Sequence, residues 1–182
     1  MRCSWCESSE LYREYHDKEW GKAVYDDNKH FEFLVLESAQ SGLSWITILK
    51  KRENYRKEYS EFDSSKVSKY DEDKIKEMMN NSGIVRNLKK IEASINNAKQ
   101  FLKISNEFGS FNRYIWSFTE NEIIKNSWKT LEEVPSKSEL SDLIAKDLKK
   151  RGFKFLGSTT VYSYLQAVGI INDHLLDCEF RD

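Results

Sequence analysis

The sequence predicts an all-α fold, and three observations carry that prediction. Breakers are scarce, with one proline, Pro135, and seven glycines in 182 residues. Apolar residues recur at the three-and-four spacing of a buried helix face along most of the chain. No stretch alternates apolar and polar residues over a useful strand length.

Phe31, Leu34, Val35 and Ser38 share one face of a helix over about residues 29–40. Trp45, Ile48 and Leu49 mark the next helix, and Asp71 caps a short one that carries Ile75, Met78 and Met79. Leu88, Ile91, Ile95, Ala98 and Leu102 repeat at helical spacing until Gly109 ends the segment. Ser136-Lys137-Ser138-Glu139 has capping-box spacing ahead of Leu140, Leu143, Ile144 and Leu148. Gly152 stands where a C-cap glycine belongs, and Ser158 is placed to cap a further helix through Gln166. With no internal repeat and no low-complexity linker, a single domain over 1–182 is expected.

Hydrophobic residues make up 39% of the chain and charged residues 32%, the composition of a folded domain. No apolar run reaches the roughly 18 residues of a membrane span, and the opening Met1-Arg2-Cys3-Ser4-Trp5-Cys6-Glu7 has no apolar signal core. A cytoplasmic, monomeric protein is the expectation. Three cysteines in such a compartment favour a metal site or burial over a disulfide. The net charge of -1 weighs against a general duplex binder. Local clusters matter more than the sum, and Lys50-Lys51-Arg52, Lys89-Lys90 and Lys149-Lys150-Arg151 with Lys154 are such clusters. Each is equally well a solvated helix face.

Three constellations carry chemistry. The stretch Leu148–Gly169 reads helix, tight turn with Gly152 and Gly157, helix. Such a turn frees backbone N–H groups that hold phosphate, and it also serves as an ordinary corner of a core. Cys3, His16, His174 and Cys178 are zinc-type ligands drawn from both ends of the chain. His174 and Cys178, four apart, would share one helical face. Cys3-x2-Cys6 is itself a zinc-like pair, and every one of these side chains could instead be a satisfied core residue. Finally, Tyr12, Tyr15 and Trp20 crowd around His16, Glu37 interrupts an apolar helix, and Gln40-Ser41-Gly42-Leu43-Ser44-Trp45 follows. A carboxylate beside aromatic planes suits a flat cationic base, and the alternative is an exposed glutamate beside core aromatics.

The segments Tyr15-His16-Asp17-Lys18-Glu19-Trp20-Gly21, Leu36-Glu37, 42–52, Trp116-Ser117-Phe118, 152–157 and Asn172-Asp173-His174 resemble the bacterial DNA-3-methyladenine glycosylase I family. The likeness runs from Cys3 to Cys178. It implies a helix-hairpin-helix DNA-glycosylase fold with the hairpin over about 142–168, and one structural Zn2+ joining the terminal segments through Cys3, His16, His174 and Cys178. It implies that Glu37 recognises the base, with Tyr15 and Trp45 beside it and Trp5, Tyr12 and Trp20 at or near the pocket. Gln40, Ser41, Gly42 and Leu43 would probe the duplex where the base has left, and Gly152, Lys154 and Gly157 would grip its backbone. Cys6 has no counterpart role.

The implied reaction is hydrolytic release of 3-methyladenine from alkylated double-stranded DNA, leaving an abasic site and the free base. A base in a duplex must first be flipped out, at a cost of a few kcal/mol. Methylation at N3 makes adenine a cation and hence a good leaving group. An ionised Glu37 and a stacked Trp45 would favour that cation over neutral adenine, the cation–π contact being worth about 2 kcal/mol when desolvated. No lysine has the context of a Schiff-base nucleophile, so strand cleavage is not expected. A non-catalytic zinc and DNA-binding module is the alternative, and a zinc hydrolase would need an open metal position.

Overall fold

The computed structural model describes residues 1–181, and the chain is mostly helical. The order is α1 (Glu10–Lys18), α2 (Asp27–Gln40), α3 (Trp45–Glu58), α4 (Ser64–Val67), α5 (Glu72–Asn80), α6 (Leu88–Phe108) and α7 (Phe111–Ser117). The strand β1 (Ile124–Lys125), helices α8 (Glu139–Lys150) and α9 (Ser158–Ala167) and the strand β2 (Ile171–Asn172) follow. Local chemistry sets most helix starts. The side chains of Ser9, Asp26, Asp63, Asp71, Asn87, Ser110 and Ser138 each accept a backbone N–H of the first turn.

Helix α2 is the centre of the packing. Every residue from His30 to Ala39 is buried, and the helix packs against α3, α6, α7 and α9. Its burial on all sides is why Glu37 could not be assigned to an exposed face. Helices α8 and α9 pack on each other across the turn 151–157, where Gly152 takes a left-handed φ of +91°.

The sequence reading is corrected in several places. Two short strands interrupt the all-helical chain: β1 and β2 pair in parallel, Ile124 with Ile171 and Lys125 with Asn172. At two residues each they are too short to leave an alternating pattern. The cap of α8 is Ser138, not Ser136, because Ser141 closes the capping box from N3. Leu143 is 55% exposed, since Ser141, Ile144, Ala145 and Leu148 form the inward face. Ser158 is the first residue of α9 rather than its cap, and its hydroxyl meets that of Ser141 at 2.8 Å. His174 and Cys178 lie in turns beyond β2, not on a helix.

Candidate base pocket and metal centre

Two helices place the polar edge of an aromatic-lined cavity. Glu37 and Gln40, three apart, project from the last turn of α2, and Ser163 and Gln166, three apart, project from α9. The opposite walls are aromatic. Tyr12 and Tyr15 come from α1, Trp20 from just beyond it, Trp5 from a 3-10 turn at Ser4–Cys6, and Trp45 from the first position of α3. The rings interlock: Trp5 lies 4.9 Å from Tyr12 and 5.0 Å from Trp20, both edge-to-face, and Tyr15 lies 5.5 Å from Trp45. The cavity measures about 210 Å³.

Electrostatically the pocket is unbalanced. Glu37 is buried, Oε2 has no hydrogen-bond partner in the chain, and burial pushes its pKa up to about 8. Trp45 Nε1 is likewise buried without a partner. A buried carboxylate and a buried N–H, each unsatisfied, cost the fold free energy unless a ligand meets them. Tyr15 and Tyr12 are held neutral by burial first and by Glu37 second. A planar ligand carrying positive charge and hydrogen-bonding groups on its edge would satisfy both orphan atoms.

Sequence reasoning missed Leu131, Val134, Ser163, Gln166 and Asp173, all of which line this cavity. Asp173 is buried and accepts four donors: Asn126 Nδ2, Trp128 Nε1 and Gln166 Nε2 at 2.7 Å, and Tyr162 Oη at 2.6 Å. Its neighbour His174 gave a signal that it lay near a site, but its donors lie seven to 47 positions away.

The loop after α2 turns away from the core. Ser41, Gly42 and Leu43 are exposed and line a second groove with Thr159, Thr160 and Ser163 at the start of α9. Gly42 sits at φ +80°, where a side chain is strained. Lys90 on α6 braces this loop by donating to the carbonyls of Ala39 at 2.8 Å and Ser41 at 2.6 Å. In the Lys50-Lys51-Arg52 cluster Lys50 is exposed, Lys51 donates to the Ser82 carbonyl at 2.8 Å, and Arg52 is withdrawn from the surface. Arg52 is buried and donates to both oxygens of Glu19 at 2.8 Å and to Glu32 at 2.7 Å.

Gly152, Lys154 and Gly157 lie in or beside the α8–α9 turn, which borders a groove lined also by Lys146, Lys149 and Phe155. The conformational demand falls on Gly152 and on Phe155 at φ +57°, whereas Gly157 has an ordinary φ of -70°. A Cβ built on Gly157 would meet nothing within 4 Å.

At the far side of the aromatic wall, Cys3, His16, His174 and Cys178 bring four ligand atoms within 4.8 Å of one another, all buried. Cys178 Sγ lies 3.3 Å from His174 Nδ1 and 3.5 Å from His16 Nε2, and Cys3 Sγ lies 3.8 Å from His174 Nδ1. A tetrahedron with zinc–sulfur and zinc–nitrogen bonds of about 2.0–2.3 Å has edges of roughly 3.3–3.8 Å, and these three separations match it. The outer nitrogens are oriented by the protein: His16 Nδ1 pairs with Asp17 Oδ1 at 2.8 Å and His174 Nε2 with the Trp20 carbonyl at 3.1 Å. This leaves His16 Nε2 and His174 Nδ1 facing inward. Cys6 turns its thiol to the Cys3 carbonyl at 3.1 Å and lies outside the four-atom group.

The model of the family described as methyladenine glycosylase matches residues 5–182. The DNA-3-methyladenine glycosylase of Haemophilus influenzae is 46% identical over 177 residues, 97% of this chain and 96% of that protein. The DNA-3-methyladenine glycosylase 1 of Escherichia coli K12 is 44% identical, over 97% of this chain and 95% of its own length. A structure of 3-methyladenine DNA glycosylase I from Staphylococcus aureus, which addresses 3-methyladenine recognition, superposes with a TM-score of 0.96 at 36% identity and covers 100% of this chain and 96% of its own.

Proposed function

The chain belongs to the methyladenine glycosylase family, and on that premise we propose that it excises 3-methyladenine from alkylated double-stranded DNA. The observation that carries this reading is the buried, partnerless Glu37 carboxylate facing a ring-lined cavity. A neutral base offers that group hydrogen bonds only, while an N3-methylated adenine adds positive charge. Bringing the cation against Glu37 favours the ionised carboxylate and so reverses the effect of burial. Tyr15 and Trp45 supply ring faces for the same charge.

Excision begins with flipping, and the Gln40-Ser41-Gly42-Leu43 segment, of which Ser41, Gly42 and Leu43 are exposed, would occupy the space the base leaves. The α8–α9 pair acts as a helix-hairpin-helix, its turn amides meeting phosphate while Lys149 and Lys154 add charge. Inside the cavity Glu37 holds the base edge as the glycosidic bond breaks. The base departs with the bonding electron pair, which cancels its charge and leaves the positive charge on the sugar, and water adds to the sugar carbon and releases one proton to solvent. No lysine lines the base cavity among the described residues, which supports hydrolysis without strand cleavage.

Zinc is the metal that suits Cys3, His16, His174 and Cys178. Four protein ligands leave no position for water, so its chemistry here is structural. The same count disfavours a zinc hydrolase, and the cavity disfavours a non-catalytic DNA-binding module. The protein would act as a single-domain monomer in the cytoplasm. Among the described residues no helix is long and apolar enough to cross a membrane. The direct test is to incubate the protein with methylated duplex DNA and quantify released bases by mass spectrometry. Free 3-methyladenine with intact strands is expected, and its absence would reject the reading.

A further inference from the structure

One wall of the base cavity differs in kind from the others. The rings are interlocked and packed on the hydrophobic core, with Tyr15, Trp20 and Trp45 buried and Trp5 and Tyr12 half-buried, and the polar edge is borne on helices α2 and α9. The remaining wall is aliphatic and is built from Leu131, on a 3-10 turn at Leu131–Glu133, and Val134, which follows that turn, within the segment joining β1 to α8. Both side chains are half-buried and stand outside the hydrophobic core. Part of their apolar surface faces the cavity.

The segment is fastened at one end by backbone bonds, Leu176 N to the Trp128 carbonyl at 2.9 Å and Asn126 N to the Asn172 carbonyl at 3.1 Å, by Arg181 on the Asn126 carbonyl, and by a buried carboxylate. Asp173 Oδ1 takes Asn126 Nδ2 and Trp128 Nε1, both at 2.7 Å. Its Oδ2 takes Tyr162 and Gln166 of α9, and Gln166 itself lines the cavity. Beyond Trp128 the bonds are internal, with Lys129 N on Glu133 and Val134 N on Leu131. Through Asp173 the strap that carries the aliphatic wall is linked by side chains to Gln166 of the base-reading edge.

We propose that Leu131 and Val134 set the size limit for the alkyl group on the bound purine, with Trp128 and Asp173 as positioning residues that hold this wall in place. The proposal rests on the excision reading above. It assigns the narrowness of the substrate class to this strap, whereas Glu37 assigns the charge. An aliphatic wall in contact with a methyl group excludes an ethyl group by overlap, and one methylene in such a pocket changes discrimination by about 10–200-fold.

The test measures binding of free 3-methyladenine and 3-ethyladenine by calorimetry, together with their release from methylated and ethylated duplex DNA. Wild-type protein should prefer the methyl base. Leu131→Ala and Val134→Ala should each raise the ethyl-to-methyl ratio by about 10-fold or more, in binding and in kcat/KM for release. Leu131→Phe should lower the ratio further. Trp128→Phe keeps a ring and removes only the donor to Asp173, so an intermediate rise in the ratio is expected. Ratios within twofold of wild type in both alanine variants would overturn the proposal. A wild-type ratio in Trp128→Phe would remove the Asp173 link. Titration with free bases decides about the wall even if no base were released from DNA, and that failure would count against excision alone.

Discussion

At the scale of single residues, Glu37 carries opposing demands. Burial holds its carboxyl neutral in the free protein, with a pKa of about 8, while recognition of a cation needs it charged. Glu37→Gln keeps the shape and loses the charge. Release of 3-methyladenine should fall by about 10-fold or more, since a hydrogen bond to a charged group is worth about 1.5–3 kcal/mol. Base-release kinetics on methylated duplex will show it, and wild-type activity would take Glu37 out of the site. The same substitution should alter the pH dependence of folding. A group whose folded pKa lies above its unfolded value contributes stability that is complete below the unfolded pKa, near 4.5, and lost as pH rises through about 8. The glutamine variant lacks this loss. Denaturant titrations should find it gaining on wild type between pH 5 and 9 by at least about 1.4 kcal/mol, the value of one pKa unit.

At the scale of elements, the α8–α9 hairpin makes a separable prediction. The exposed Gly157 has ordinary backbone angles and open space where a Cβ would go. Gly157→Val should therefore fold, and the new side chain crowds only what approaches from outside. Loss of one amide–phosphate contact predicts duplex affinity about 10-fold weaker, with sequence-independent binding that still falls with salt. Affinity for free 3-methyladenine should hold, because Glu37 and Trp45 lie on α2 and α3. Fluorescence anisotropy with duplex and calorimetry with free base separate the two, and undiminished duplex binding would reject the hairpin as the grip. The elements also show what the sequence could convey. Helix faces and caps such as Asp71 and Gly109 are local features, so α2, α5 and α6 were legible. Glu37 was visible as an acid in an apolar run. Leu131, Val134 and Asp173 were not, because their place in the cavity depends on a strap pinned across 45 or more positions by Trp128 and Asn126. Lys90 and Arg52 looked like free cations in the sequence, and only tertiary packing shows them bonded to carbonyls and carboxylates.

At the scale of the whole molecule, the four-ligand centre joins the two ends of the chain, with Cys3 and His174 171 positions apart. It does so directly behind the pocket: Trp20 accepts from His174 through its carbonyl, Trp5 sits between Cys3 and Cys6, and Asp173 adjoins His174. Without metal, burial pushes the Cys3 thiol up to about 12, so coordination must expel a proton from a group that otherwise keeps it. Zinc bound to the native state alone would therefore stabilise the fold, and removing it should loosen the pocket as well. Native protein should contain one zinc per chain by elemental analysis. His174→Ala should lose it and melt at lower temperature. A loss of about 3 kcal/mol, well under the roughly 10–16 kcal/mol of an isolated zinc peptide, corresponds to roughly 6–12 °C at this chain length. Prolonged chelation of the wild type should give the same shift and weaken 3-methyladenine binding, because the terminal segments carry Trp5 and Asp173. Cys6→Ser replaces a thiol that only donates to the Cys3 carbonyl, and a hydroxyl can do the same. That variant should keep its zinc and its melting temperature. Loss of zinc there would make Cys6 the ligand in place of Cys3, and a native protein without zinc would reject the four-ligand assignment altogether.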